Sequence, residues 1–154
     1  MAAKGATVQG PTGTISASST KTGIILTAAA TRLLRICRMR VSQDTHKTSE
    51  QYAVAGQRAS AAGTSSAYTP VLKEPNSGAV GFTAGITHTV EPTYTASTIF
   101  PNTKWNSLTG KDIPFPMGQE LYIAPSAIWG LYVTTPASTT NFAAQCEIEA
   151  EEIG

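Results

Sequence analysis

The clearest pattern in the chain lies near its end, in Asn141-Phe-Ala-Ala-Gln-Cys-Glu-Ile-Glu-Ala-Glu-Glu152. Phe142, Ala144, Cys146, Ile148 and Ala150 alternate with Asn141, Gln145, Glu147, Glu149 and Glu151, and Ala143 is the one small exception. Successive side chains on a strand point to opposite faces. This period of two therefore predicts a long strand with one face buried and the other turned to water or to a basic partner.

A second strand is predicted over residues 32–42, Arg-Leu-Leu-Arg-Ile-Cys-Arg-Met-Arg-Val-Ser. Leu34 and Ile36 share one parity, whereas Met39 and Val41 share the other. A parity switch inside a strand implies a β-bulge, or two faces that are both partly covered. Helix is the competing reading, because Leu33, Ile36 and Arg40 also fit a 3.6-residue period; the Thr- and Ser-rich flanks favour strand.

Weaker strand patterns follow along the rest of the chain. Residues 15–27 have room for one or two strands, with 23–27 the stronger. Residues 52–58 place Tyr52 and Val54 on one face, with a short helix as the alternative. Further strands are expected at 85–90, 93–100, 120–124 and 127–134, and an extended stretch at 113–116. Residues 101–105, 125–126 and 135–139 read as turns. Residues 59–80 are small and polar, with Pro70, Pro75 and Gly78 as breakers, and read as a long loop of the kind that is usually functional or packed against a partner.

Residues 1–13 hold Gly5, Gly10, Pro11 and Gly13 and few bulky side chains, so they read as a flexible or assembly arm. Residues 14–154 are left as a single domain. About eight short strands with no convincing helix predict an all-β, antiparallel β-sandwich, jelly-roll-like, carrying that extended N-terminal arm. Its core is expected to draw on Leu34, Ile36, Met39, Val41, Ile123, Trp129, Leu131, Val133, Phe142 and Ile148.

Composition changes this picture mainly at the surface. The chain has 154 residues and a mass of 16.1 kDa, enough for one domain with a substantial core. Only 14% of residues are charged, well below the usual quarter, and Thr, Ser and Ala fill the difference. Such a surface suits a protein partly covered by neighbouring copies. A net charge of +1 supplies no field to attract nucleic acid or an acidic membrane, so neither is expected as a partner. There is no apolar run long enough to span a bilayer, and the first residues lack the apolar core of a secretory signal. Cys37 and Cys146 both fall in strand patterns. Two buried thiols are the expectation for a protein made in the cytoplasm, and a Cys37–Cys146 bridge stays open if the strands are neighbours.

Candidate chemistry is sparse. His46 and His88 are the only histidines. His46 lies two residues from Asp44 in a polar loop, and His88 alternates with Thr87 and Thr89; neither has further ligands at metal-binding spacing. No nucleophile elbow, Cys-x-x-Cys pair or phosphate loop occurs, and Thr109-Gly-Lys111 reads as a turn. The expectation is no enzyme activity, no catalytic, cofactor-binding or metal site, and no cofactor. Trp105, Trp129, Tyr122, Tyr132, Phe100 and Phe142 read as core before sugar platform. Arg32, Arg35, Arg38 and Arg40 crowd one strand. They are expected to face acidic side chains, either Glu147, Glu149 and Glu151 within the fold or carboxylates of another subunit; solvated arginines protecting a sheet edge are the other reading.

Four segments carry a resemblance: Arg35-Ile-Cys-Arg-Met-Arg-Val-Ser42, Ala67-Tyr-Thr-Pro-Val-Leu72, Thr89-Val-Glu-Pro-Thr-Tyr-Thr95, and Gln119-Glu-Leu-Tyr-Ile-Ala-Pro with Gly130-Leu-Tyr-Val-Thr-Thr-Pro-Ala137. In this order the chain resembles, over roughly residues 20–152, the small all-β virion structural proteins of tailed bacteriophages, most of all the capsid decoration (cement) proteins. The resemblance implies a non-enzymatic subunit that binds and stabilises the phage head. Its partners would be copies of itself, as a homotrimer, and the major capsid protein lattice, on the outer surface of the capsid in the virion. A tail or baseplate structural protein, or a β-sandwich carbohydrate- or receptor-binding module, is the alternative.

Overall fold

A computed structural model describes residues 3–44, 49–137 and 141–154. The two best-patterned segments lie side by side. Strand β12 (Ala144–Ile153) runs antiparallel to β3 (Leu33–Gln43), with Cys146 opposite Val41 and Ile148 opposite Met39. Burial alternates along the whole of β12, so period-two patterning and packing agree residue by residue. The parity switch in β3 is a bulge. Glu149 lies opposite Arg38 and Ala150 opposite Ile36, which leaves Cys37 as the extra residue and keeps both halves of the strand facing the core.

β12 continues on its other side into β1 (Lys4–Pro11), and β1 pairs with the short β6 (Val71–Leu72). Beyond β3, the sheet ends with β10 (Leu121–Ile123) and β9 (Lys111–Pro114), which share the outer edge of β3. The second sheet has the order β5 (Thr64–Tyr68), β7 (Thr83–Val90), β2 (Thr20–Thr27), β11 (Ile128–Thr134), β4 (Gln51–Ala61) and β8 (Thr93–Asn106). Every pairing is antiparallel. The two sheets form a β-sandwich, and β1 to β4 alternate between them, so each sheet depends on both halves of the chain.

The interior is apolar. All ten residues expected in the core are at most 4% exposed. At one end Tyr52 stacks on Phe142 with ring centroids 4.2 Å apart, and Trp105 completes the cluster 6.1 Å from Phe142. Tyr52 is fully buried, yet its hydroxyl donates to Glu50 Oε2 at 2.8 Å, so its polar end is satisfied.

Three expectations need correction. Residues 4–11 are not an arm but a strand held between β12 and β6, with Ala6 and Val8 fully buried. The glycines that suggested flexibility instead permit close packing: a Cβ on Gly10 would lie 2.6 Å from Ile86 Cγ2 of the facing sheet. The expected loop at 59–80 contains the end of β4 and all of β5 and β6. The expected turn at 101–105 is the second half of β8, which passes through a cis Phe100–Pro101 bond and delivers Trp105 to the core.

Cys37 and Cys146 are free thiols on adjacent strands. Burial raises both above their ordinary values, and the fully buried Cys146 is pushed up to about 12, so it stays an unreactive thiol.

Phe142→Ala should lower the free energy of unfolding by about 3–5 kcal/mol, read from denaturant titration, because it empties the centre of the aromatic cluster. Deleting residues 1–13 should abolish cooperative unfolding altogether, since it strips β12 of a neighbour along its full length; a truncated chain with an unchanged transition would show that β1 is dispensable.

Candidate interaction surfaces

The outer face of the first sheet is a ladder of opposite charges. The bulge at Cys37 puts Arg35 opposite Glu151, while Arg38 and Arg40 stand opposite Glu149 and Glu147. Arg35 binds Glu151, with Glu120 3.6 Å away as a second acceptor. Arg40 binds Glu147 and reaches Glu149 at 3.1 Å. Arg38 grips Asp112 of β9 with two donors, and Lys73 closes the row by donating to Glu149 at 2.7 Å. The arginine-rich strand thus finds its carboxylates within its own fold.

This ladder perturbs its own acids. The Arg38 guanidinium holds the Asp112 carboxyl below the ordinary carboxylate range, and Lys73 does the same to Glu149. The side chains of each pair are half-buried or exposed, so each pair contributes little alone; the row as a whole fixes register.

Glu152 behaves differently: it falls on the buried parity of β12, where the other residues are apolar. It is 2% exposed, accepts from Arg32 Nη1 at 2.6 Å, and accepts the Gly81 backbone N–H at 2.9 and 3.0 Å. A buried carboxylate therefore ties the end of β12 to the chain entering β7.

His88 follows Thr87, which has a left-handed φ of 51° and is the extra residue where Ile86 and His88 pair with consecutive residues of β5. The ring is 6% exposed and neither nitrogen makes a well-formed hydrogen bond. Desolvation lowers its pKa, although the Glu91 carboxylate and the Thr22 backbone oppose that shift and Lys21 adds to it. Glu91 itself accepts from the Thr22 backbone N–H at 2.9 Å and pairs with Lys21 at 3.2 Å. His46 lies outside the described residues. Among the described residues no cluster of three or more His, Cys, Asp or Glu side chains is arranged to hold a metal ion, and no helix is long and apolar enough to cross a membrane.

Where β8 and β10 approach from opposite sheets, the sandwich opens into a cleft of about 240 Å³ lined by Arg58, Thr98, Tyr122, Ile123, Ala127 and Trp129. Its floor is set by Gly56: the Trp129 ring lies across this glycine so closely that a Cβ would fall 1.8 Å from Cζ2. Arg58 is opposite Trp129 on the neighbouring strand and exposed. Phe100 and Tyr122 are about half exposed, and Phe100 sits 6.0 Å from Phe115 across the gap between the sheets. Trp105 and Trp129 are buried, so neither offers a ring face as a sugar platform.

No protein-family model, curated protein or solved structure matches the chain.

Three groups set the expected response to acid: His88, Asp112 and Glu149. His88 is held neutral in the fold, so below its ordinary value of about 6.5 the unfolded chain takes up the proton more readily and stability falls. Asp112 and Glu149 have depressed values, so their contribution is complete above the ordinary carboxylate range and is lost as pH falls through the folded values. Denaturant titrations across pH should show two declines, one starting near 6.5 and one below about 4. His88→Gln should remove the first and Asp112→Asn should shrink the second. A first decline that survives His88→Gln would contradict the assignment.

Proposed function

We propose that the protein is a non-enzymatic structural subunit that assembles with copies of itself and onto a larger protein lattice, in the manner of the phage capsid decoration proteins that its strands resemble. The observation that carries this reading is β8. It spans 14 residues at the margin of the second sheet, pairs with β4 on one side only, and contains Lys104 as its one charged residue. Ile99 and Phe100 are exposed on it. An open edge strand is a template for another chain, and on β8, which is rich in Thr, Ser and Asn and is interrupted by Pro101, Ile99 and Phe100 are the apolar contact points. The flat face of the first sheet, by contrast, has its charges matched internally and needs no partner.

Assembly through an edge suits a decoration role. Weak contacts repeated by symmetry give high avidity without any one large interface. Residues 1–13, first expected to make inter-subunit contacts, are engaged within the fold from Lys4 to Pro11, so the self-contact is proposed at the β8 edge instead.

Sedimentation velocity over a wide concentration range tests this directly. The expected result is a species of three chains that Phe100→Glu converts to a folded monomer, since a half-exposed ring can be replaced without emptying the core. A wild-type protein that stays monomeric at every concentration would contradict self-assembly.

A further inference from the structure

We infer that the cleft between β8 and β10 is a docking site for an extended segment of a partner protein that carries a carboxylate beside one bulky apolar side chain. The inference rests on the assembly reading above, because the segment would belong to the lattice on which this protein sits.

Charge leads to the acidic half of that description. The sequence has five arginines, Arg32, Arg35, Arg38, Arg40 and Arg58. The first four each grip a carboxylate of the same chain. Arg58 alone makes no ion pair among the described residues, and it lines the cleft. An arginine offers a planar fork of donors that matches a carboxylate, and beside apolar walls such a pair is less screened than on an open surface.

Shape leads to the apolar half. Ile123 and Trp129 form the inner wall, and Thr98, Tyr122 and Ala127 form the rim. At about 240 Å³ the space lies below the roughly 300–1,000 Å³ of pockets that enclose a whole small ligand. It suits one side chain inserted from outside. The backbone supplies the third element: β8 and β10 are outermost strands of their sheets, each paired with a strand on one side. A segment in extended conformation can therefore add to an edge, place alternate side chains inward, and bring its carboxylate to Arg58.

Selection of a randomised short-peptide display library on the intact protein tests this. Enriched peptides should pair Asp or Glu with an adjacent Leu, Ile or Phe. Their affinity should fall about tenfold or more on Arg58→Gln, the loss expected for one charge-assisted contact. Ala127→Phe, which fills the cleft while leaving Arg58 in place, should abolish binding. Arg58→Gln should leave the unfolding midpoint and the sedimentation behaviour unchanged, because Arg58 is exposed and unpaired; loss of peptide binding is thereby separated from loss of self-assembly. Absence of enrichment, enrichment without an acidic residue, or equal binding to Arg58→Gln would each overturn the proposal.

Discussion

The pairing of β3 with β12 is the constraint on which the rest of the structure depends. It joins residues 33–43 to the C-terminus, and its inner face buries Leu34, Ile36, Met39 and Val41 against the same core as Cys146, Ile148 and Ala150. β1 can form only against the other side of β12, while β9 and β10 can form only against the other side of β3. The burial of these side chains supplies most of the driving force. The charges outside add little free energy, but they penalise any slip of register, since a shift by one residue would send arginines inward and leave glutamates unmatched.

Internal charge matching also divides the surface into regions with different capacities. The face that looks richest in charge is chemically closed: its cations and anions already hold one another. The open valences lie elsewhere, at the outermost strands and at Arg58, which pairs with no carboxylate among the described residues. An edge offers directional main-chain hydrogen bonds, and the adjacent opening offers apolar contact with a single cationic anchor. Together they give a narrow surface that can be specific without being large.

Strands that alternate cleanly were legible in the amino-acid sequence, and the parity switch from Leu34 and Ile36 to Met39 and Val41 was legible as a bulge or as two partly covered faces, between which only the register decides. The facing of arginines and glutamates was legible as one of two options; only the register could decide between them. What could not be read was governed by tertiary contact. Gly10 looked like a flexible position because its purpose, close approach to Ile86, lies on another strand. Pro101 looked like a stop, yet β8 passes through it at a sheet margin, where a missing donor costs little. Glu152 breaks the alternation, as a carboxylate on the buried parity of β12, but its partners Arg32 and Gly81 are distant in sequence, so what it binds could not be read. Arg58 was hidden for the converse reason: its significance is that four other arginines are occupied.

Native-state hydrogen exchange is the most direct test of the claim that β3 and β12 organise the fold. Amides of Met39, Val41, Cys146 and Ile148 should exchange only through global unfolding, with protection equal to the free energy from denaturant titration, while those at the free margin of β8 exchange through smaller openings. If β3 and β12 open at lower free energy than the strands of the second sheet, their pairing is a consequence of the fold and not its foundation.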